Sequence, residues 1–288
     1  MSEIKASAGK SGSAEPWGNN VLVEFEDGIA WVYLNRPDKR NAMSPALCSE
    51  MVSVLDALET DSRCGVLVLT GNGEAFSAGM DLKEYFRETD GGQHVDKMRV
   101  YRTASQFHWR ILMQYYKPTI AMVNGWCFGG AFTPLISCDL AIAAEDAVFG
   151  VSEINWGIIP GGNVTKSLFS VMGRRDALYY IMTGQTFTGA KAAQMGIVNE
   201  AVPRDRLRSR TKEIALVLLE KNPTVLRQAK VAAKYIEEMS WDLANDYLTA
   251  KNEQAILIDP ERGREKGLQG FLDDKRYRPG LENYRKDG

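Results

Sequence analysis

The chain has 288 residues, 44% of them hydrophobic and 25% charged, with a formal net charge of -2. That length buries a sizeable core, and the near-neutral balance excludes a global basic field that would gather nucleic acid or anionic lipid. Cys48, Cys64, Cys127 and Cys138 form no CxxC pair, and the N-terminus has no secretory apolar stretch, so reduced thiols in a cytoplasmic protein are expected.

Residues 1–20 are polar and rich in Gly and Ser, and are expected to form a disordered leader. Val21, Val23 and Phe25 then alternate with polar residues, Asp27-Gly28 follows, and "IAWVYLN" continues, which predicts a β-hairpin on a tight turn. Ser44-Pro45 marks a helix start, with an apolar face at Leu47, Met51, Val54, Leu55 and Leu58. "GVLVLTG" is apolar at nearly every position, as a strand covered on both faces requires. "VLVLTGNGEAFSAGMD" and "TIAMVNGWCFGGAF" each read as strand, glycine turn and helix start, and "DLAIAAEDAVFG" as a further strand and turn. This is α/β organisation with loops gathered at one end of the strands.

The run from Pro118 to Cys138 carries no carboxylate, amine or imidazole. Its length invites a membrane span, but Pro118, Asn124, Pro134 and three glycines argue for a buried strand followed by a buried helix. From about Gly173 the pattern is helical, so an α/β core over 21–215 and a helical region over 216–288 are expected. By pattern alone that region either packs on its own core or serves oligomerisation.

Several chemistries are absent from the motifs. His94 and His108 are the two histidines, and no cysteine or carboxylate spacing supports a metal site. Ser152 is not in a nucleophile elbow, because Ile154 stands where the last glycine belongs. "GNGEAF" lacks the last glycine of a dinucleotide fingerprint, and "GQTFTGAK" has Ala190 at the phosphate-loop lysine position. What remains is two glycine-rich turns and a carboxylate. Two helix-opening turns that face one point offer a pair of backbone N–H donors to a developing oxyanion, and the carboxylate can move a proton. That combination suits chemistry on a thioester carbonyl. The same glycines also fit close helix packing.

"NRPDKRNAMS", "AFSAGMDLKE", "PTIAMVNGWCFGGAF", "CDLAIAAEDAVFGVSEINWGIIPGG", "YYIMTGQTFTGAKAAQMGIVNE" and "GLQGFLDDKRYRP" occur in this order. Together they resemble the crotonase (enoyl-CoA hydratase/isomerase) superfamily over about residues 21–280. The resemblance implies a ββα spiral core, a helical C-terminal oligomerisation region, and an acyl-CoA thioester as substrate with no further cofactor. It implies self-association as a trimer or dimer of trimers, and neither nucleic acid nor membrane as a partner. It places the oxyanion-hole amides at Met80 and Gly130 and an acid/base at Glu153. Thr133 stands where the plain hydratases carry a second glutamate.

With "GMDLKEYFRETD", "GWCFGGAFTPL" and "SEINWGI", that departure resembles the branch that hydrates hydroxycinnamoyl-CoA thioesters such as feruloyl- and 4-coumaroyl-CoA. That branch then cleaves them by a retro-aldol step to an aromatic aldehyde and acetyl-CoA. Tyr85 matches a family tyrosine at the substrate phenol. The second family tyrosine falls at Thr249 here, and Tyr247 is a poor stand-in, because two residues along a helix turn a side chain by roughly 200°. Altered phenol recognition is therefore expected. Lys39 and Arg40 are expected at the CoA phosphates, Ala78, Met80 and Leu82 along the CoA channel, and Ser152, Trp156 and Gly161 in the pocket wall. Phe271 and Lys275 resemble C-terminal adenine contacts at a spacing that does not match. Two other readings remain open: a hydratase or isomerase that stops before C–C cleavage, and a non-catalytic binding protein on the same fold.

Overall fold

A computed structural model describes residues 15–275. Strand β1 (Glu15–Pro16) pairs antiparallel with β2 (Val21–Glu26). The stretch expected as leader is thus ordered at its C-terminal end, and residues 1–14 lie outside the described residues. Asp27 and Gly28 take φ of 50° and 80°, the left-handed pair whose twist matches that of the strands it joins. Strand β3 (Ile29–Leu34) returns with Val32 opposite Val23. Helix α1 (Pro45–Thr60) begins where the sequence places it. The Ser44 hydroxyl accepts from the Leu47 N–H at 3.2 Å, a cap worth about 1 kcal/mol. The five apolar positions of its expected face are fully buried. Strand β4 (Val66–Gly71) is buried throughout, which explains its unbroken apolar run.

Strand β5 (Ala75–Ser77) leads into a π-helical turn, Leu82–Arg87. Helices α2 (Glu88–Asp90) and α3 (His94–Ser105), a second π-helical stretch (Gln106–Ile111) and α4 (Leu112–Gln114) follow. The uncharged run resolves into β6 (Thr119–Val123), β7 (Trp126–Phe128), a 3-10 turn (Gly129–Ala131) and α5 (Phe132–Ser137). Pro134 sits in the first turn of α5, where its missing N–H costs nothing. Among the described residues, no helix is long and apolar enough to cross a membrane.

"DLAIAAEDAVFG" is two strands, not one. Glu145 and Asp146 break it into β8 (Leu140–Ala144) and β9 (Val148–Gly150), which join different sheets. The order continues with α6 (Val164–Val171), α7 (Arg174–Thr183), β10 (Thr186–Thr188), α8 (Gly189–Gln194) and β11 (Glu200–Val202). Helices α9 (Leu207–Leu219), α10 (Pro223–Ile236), α11 (Trp241–Ile258) and α12 (Gly263–Leu272) close the described chain.

One seven-stranded sheet runs β1-β2-β3-β4-β6-β8-β11, and a four-stranded sheet runs β10-β9-β7-β5. Residue 216, the expected start of the helical region, falls inside α9. Leu207 and Ala215 of that helix are buried in the core, so the outer helices start with α10. Lys230 and Lys234 tie α10 to the core through Asp139, at 2.7 and 2.6 Å. Burial pulls the Lys230 ammonium below its usual pKa, and Asp139 works against that pull. Removing Asp139 would strand buried charge at a cost of about 3–5 kcal/mol.

Candidate active site

Three strands of the small sheet, β5, β7 and β9, run parallel, with Ser77 opposite Cys127 and Phe128 opposite Gly150. Each runs out within a few residues into one element of the site: β5 to Met80, β7 to Gly129-Gly130 and β9 to Glu153.

The first turn is held by its own hydrogen bonds. The Ser77 hydroxyl donates to Asn41 O at 2.8 Å and accepts from the Gly79 N–H at 3.1 Å. Met43 N–H donates to Gly79 O at 2.7 Å, and Asp81 N–H to Met43 O at 3.1 Å. The Met80 N–H between them has no hydrogen-bond acceptor among the described residues. Asp81 accepts from the N–H groups of Lys83 and Glu84 and from Arg36 Nη1 at 3.0 Å. Burial opposes the Asp81 carboxylate, but these donors outweigh it and hold the group below its usual pKa. Arg36 also bonds Ala42 O at 2.7 Å and Glu84 at 2.6 Å, so one guanidinium fastens the 36–42 loop to the Asp81–Glu84 turn.

Gly129 and Gly130 open a 3-10 turn, whose first N–H groups have no intrahelical acceptor. A Cβ on Gly130 would meet the Met80 side chain at 3.0 Å and lie 3.5 Å from Met80 N; one on Gly129 would lie 2.9 Å from Glu153 Oε1. The two turns and the carboxylate are therefore in van der Waals contact, and side-chain-free backbone makes that approach possible. Glu153 Oε2 is buried without a hydrogen-bond partner. Burial raises its pKa, as desolvation of a lone carboxylate must.

These groups border a cavity of about 530 Å³. Of the residues expected here, Ala78, Leu82 and Tyr85 line it beside Met80, and Ser152, Trp156 and Gly161 line it beside Glu153. Lys39 does not. It bonds Glu84 at 2.8 Å, and its neighbour Arg40 faces the cavity instead, with its guanidinium 4.6 Å from the Trp126 ring centre. Thr249 is also elsewhere, exposed on α11 with its hydroxyl bonded to Asn245 O. Thr133 is buried behind the wall, and its hydroxyl donates to Gly162 O at 2.9 Å, fixing the Gly161-Gly162 bend.

The structure adds a face that the sequence reading left unassigned. Tyr101, Ser105 and His108 line the cavity from α3 and the π-helical stretch after it. Their i, i+4, i+7 spacing is the signal that would have grouped them. Tyr85 stacks on Tyr101, ring centres 5.3 Å apart and 15° from parallel. Burial raises the pKa of the Tyr85 phenol, which stays protonated. His108 is buried, and desolvation pushes its imidazole down to about 4, so the ring is neutral.

A mixed-sheet core, two amide-bearing turns and a carboxylate with one unpartnered oxygen beside a cavity of about 530 Å³ define a site for acyl-group chemistry. The chain matches the enoyl-CoA hydratase/isomerase family over residues 24–278 and belongs to it. It is 59% identical over 266 residues to a hydroxycinnamoyl-CoA hydratase-lyase from Pseudomonas fluorescens, covering 92% of this chain and 96% of the relative. It is 30% identical to the 2,3-dehydroadipyl-CoA hydratase of Escherichia coli K12, covering 88% of this chain and 96% of the relative. The crystal structure of an enoyl-CoA hydratase from Bacillus anthracis superposes with a TM-score of 0.80 at 29% identity, covering 88% of this chain and 96% of that one.

Proposed function

We propose that the chain is a lyase that hydrates hydroxycinnamoyl-CoA thioesters, such as feruloyl- and 4-coumaroyl-CoA, and then cleaves the product to an aromatic aldehyde and acetyl-CoA. The observation that carries this reading is Glu153, the one carboxylate lining the cavity among the described residues, half-buried, with its Oε2 buried without a hydrogen-bond partner and its Oε1 packed against Gly129. The 59% identical hydroxycinnamoyl-CoA hydratase-lyase supports it.

The N–H groups of Met80 and Gly130 bind the thioester oxygen and draw electron density from the β-carbon. Glu153 takes a proton from water as the oxygen adds to that carbon, and returns it to the α-carbon of the resulting enolate, which leaves the carboxylate ionised again. In the second stage Glu153 takes the β-hydroxyl proton. The Cα–Cβ bond breaks, the aldehyde forms, and Glu153 gives the same proton to the acetyl-CoA enolate left in the oxyanion hole. No electrons are exchanged with an outside group. A desolvated carboxylate is suited to both directions, because its raised pKa brings it nearer working pH. Tyr85, a protonated phenol, donates to the para oxygen of the aryl ring and favours the phenolate that pushes electrons toward the β-carbon.

Incubating the protein with feruloyl-CoA and separating products tests the proposal: vanillin and acetyl-CoA support it. A hydrated thioester without aldehyde supports the narrower hydratase reading, which the 30% identical hydratase favours.

The chain works in this reading as a trimer or dimer of trimers, in the cytoplasm. Trp241 at 94%, Leu257 at 85% and Ile159 at 82% exposure supply apolar surface for self-association. Thr249 meets substrate there only if α11 of one copy covers the cavity of another. Light scattering on the purified protein checks the assembly.

A further inference from the structure

The acyl end of the cavity holds more polar groups than one phenol needs. Tyr101, Ser105 and His108 present one helical face to it, and Tyr85 stacks on the Tyr101 ring. All four line one cavity. The Cys48 sulfur lies 3.8 Å from His108 Nε2. Desolvation pushes the Cys48 thiol up to about 12, so it keeps its proton. A protonated thiol beside a neutral imidazole donates to the ring nitrogen, the better acceptor of the two. The other nitrogen then carries the imidazole proton and has no hydrogen-bond partner among the described residues. The Ser105 hydroxyl donates to Tyr101 O at 2.8 Å, which leaves its oxygen free to accept.

We propose that His108 is a binding residue that reads a second oxygen on the aryl ring, adjacent to the phenol that Tyr85 takes, with Ser105 accepting when that oxygen is a hydroxyl. The assignment rests on the hydratase-lyase reading and names its acyl class: rings with two neighbouring oxygen substituents, over rings with one. The imidazole is anchored by Cys48 at Nε2 and lines the cavity, so it is held in place before substrate arrives. A buried donor matched to a ring oxygen also penalises a ring that lacks it, since the donor is then left unpaired.

The test compares 4-coumaroyl-, caffeoyl- and feruloyl-CoA. Aldehyde formation is followed in wild type, His108→Leu and His108→Gln. Affinity is followed by titration calorimetry with the same His108 substitutions in a Glu153→Gln background, where turnover is slowed roughly 10²- to 10⁴-fold. His108→Leu lowers kcat/KM and affinity about 5- to 10-fold for caffeoyl- and feruloyl-CoA, and changes 4-coumaroyl-CoA by less than about twofold. His108→Gln, which keeps a donor, restores most of the difference. Equal losses on all three thioesters, or a Gln variant as poor as Leu, would overturn the proposal, because a packing role predicts both. If His108→Leu is recovered unfolded, Ser105→Ala decides: it lowers affinity for caffeoyl-CoA alone, and unchanged affinities overturn the assignment. No aldehyde from wild type, with the affinity pattern intact, refutes the lyase reading and leaves the His108 assignment standing.

Discussion

Replacing Gly129 by alanine puts one methyl group between the second glycine turn and the acid. The new Cβ would lie 2.9 Å from Glu153 Oε1 and 3.1 Å from Cδ, closer than carbon and oxygen tolerate. The backbone there has φ of +50°, so an L-residue adds about 1–2 kcal/mol of strain. The movable partner is the carboxylate, which swings off its position by about 1 Å; displacements of that size cost on the order of 10²-fold in rate. Gly161 lines the same cavity, but a Cβ on it meets just Ile159 O, at 3.7 Å. Urea titration and aldehyde formation from feruloyl-CoA are measured for both variants. Gly129→Ala is expected to lose about 1–2 kcal/mol of stability and about 10²-fold or more in kcat, with KM much less affected. Gly161→Ala stays near wild type in both. If Gly129→Ala is destabilised yet keeps kcat within a few-fold of wild type, Glu153 does not do its chemistry from this position.

Glu153→Gln lowers kcat by roughly 10²- to 10⁴-fold. Its stability moves the other way. The folded state holds the Glu153 proton above the ordinary 4.5, so ionisation costs stability as pH rises through the raised value. The variant therefore melts higher than wild type at neutral pH, the gap closing below about pH 4.5; a lower melting temperature at neutral pH contradicts the desolvation reading. His108 has the opposite sign. Its imidazole sits at about 4 in the fold against an ordinary 6.5, so its contribution is complete above pH 6.5 and drains away as pH falls from there through about 4. Relative to His108→Gln, wild type loses about 2 kcal/mol between pH 7 and pH 5; parallel stability curves would show that the ring protonates freely. Thr249→Tyr shifts the relative rates on 4-coumaroyl-, feruloyl- and caffeoyl-CoA, and unchanged rates on all three mean that the Thr249 position never meets the ring.

Much of the fold could be read from local physics. Ser44 before Pro45 fixed the start of α1, and unbroken apolar character marked β4 as a central strand. The site glycines stood out because close backbone approach removes the choice of residue. Other features depended on information that no short window carries. The chain reverses at Arg40, which takes a left-handed φ of 49°, and that reversal decides which of two adjacent cations reaches the cavity. Helix α3 leaves Val95 and Met98 exposed and turns polar residues toward the cavity, so its apolar periodicity is blurred. Glu145 and Asp146 look like one turn in sequence, but the strands on either side belong to different sheets.

The parallel pairing of β5, β7 and β9 works as a spacing gauge. Sliding one strand by a single residue moves whatever follows it by about 3.3 Å, more than a hydrogen bond can stretch. Side chains along these short strands can be exchanged while the ends stay aligned. The β5–β7 pairing already carries one irregularity between Ala75 and Ser77, so the exact count matters past it: an inserted or deleted residue between Ser77 and Met80, or between Cys127 and Gly130, spoils the alignment however well the chain refolds around it. In this part of the molecule, residue count is under stricter control than residue identity.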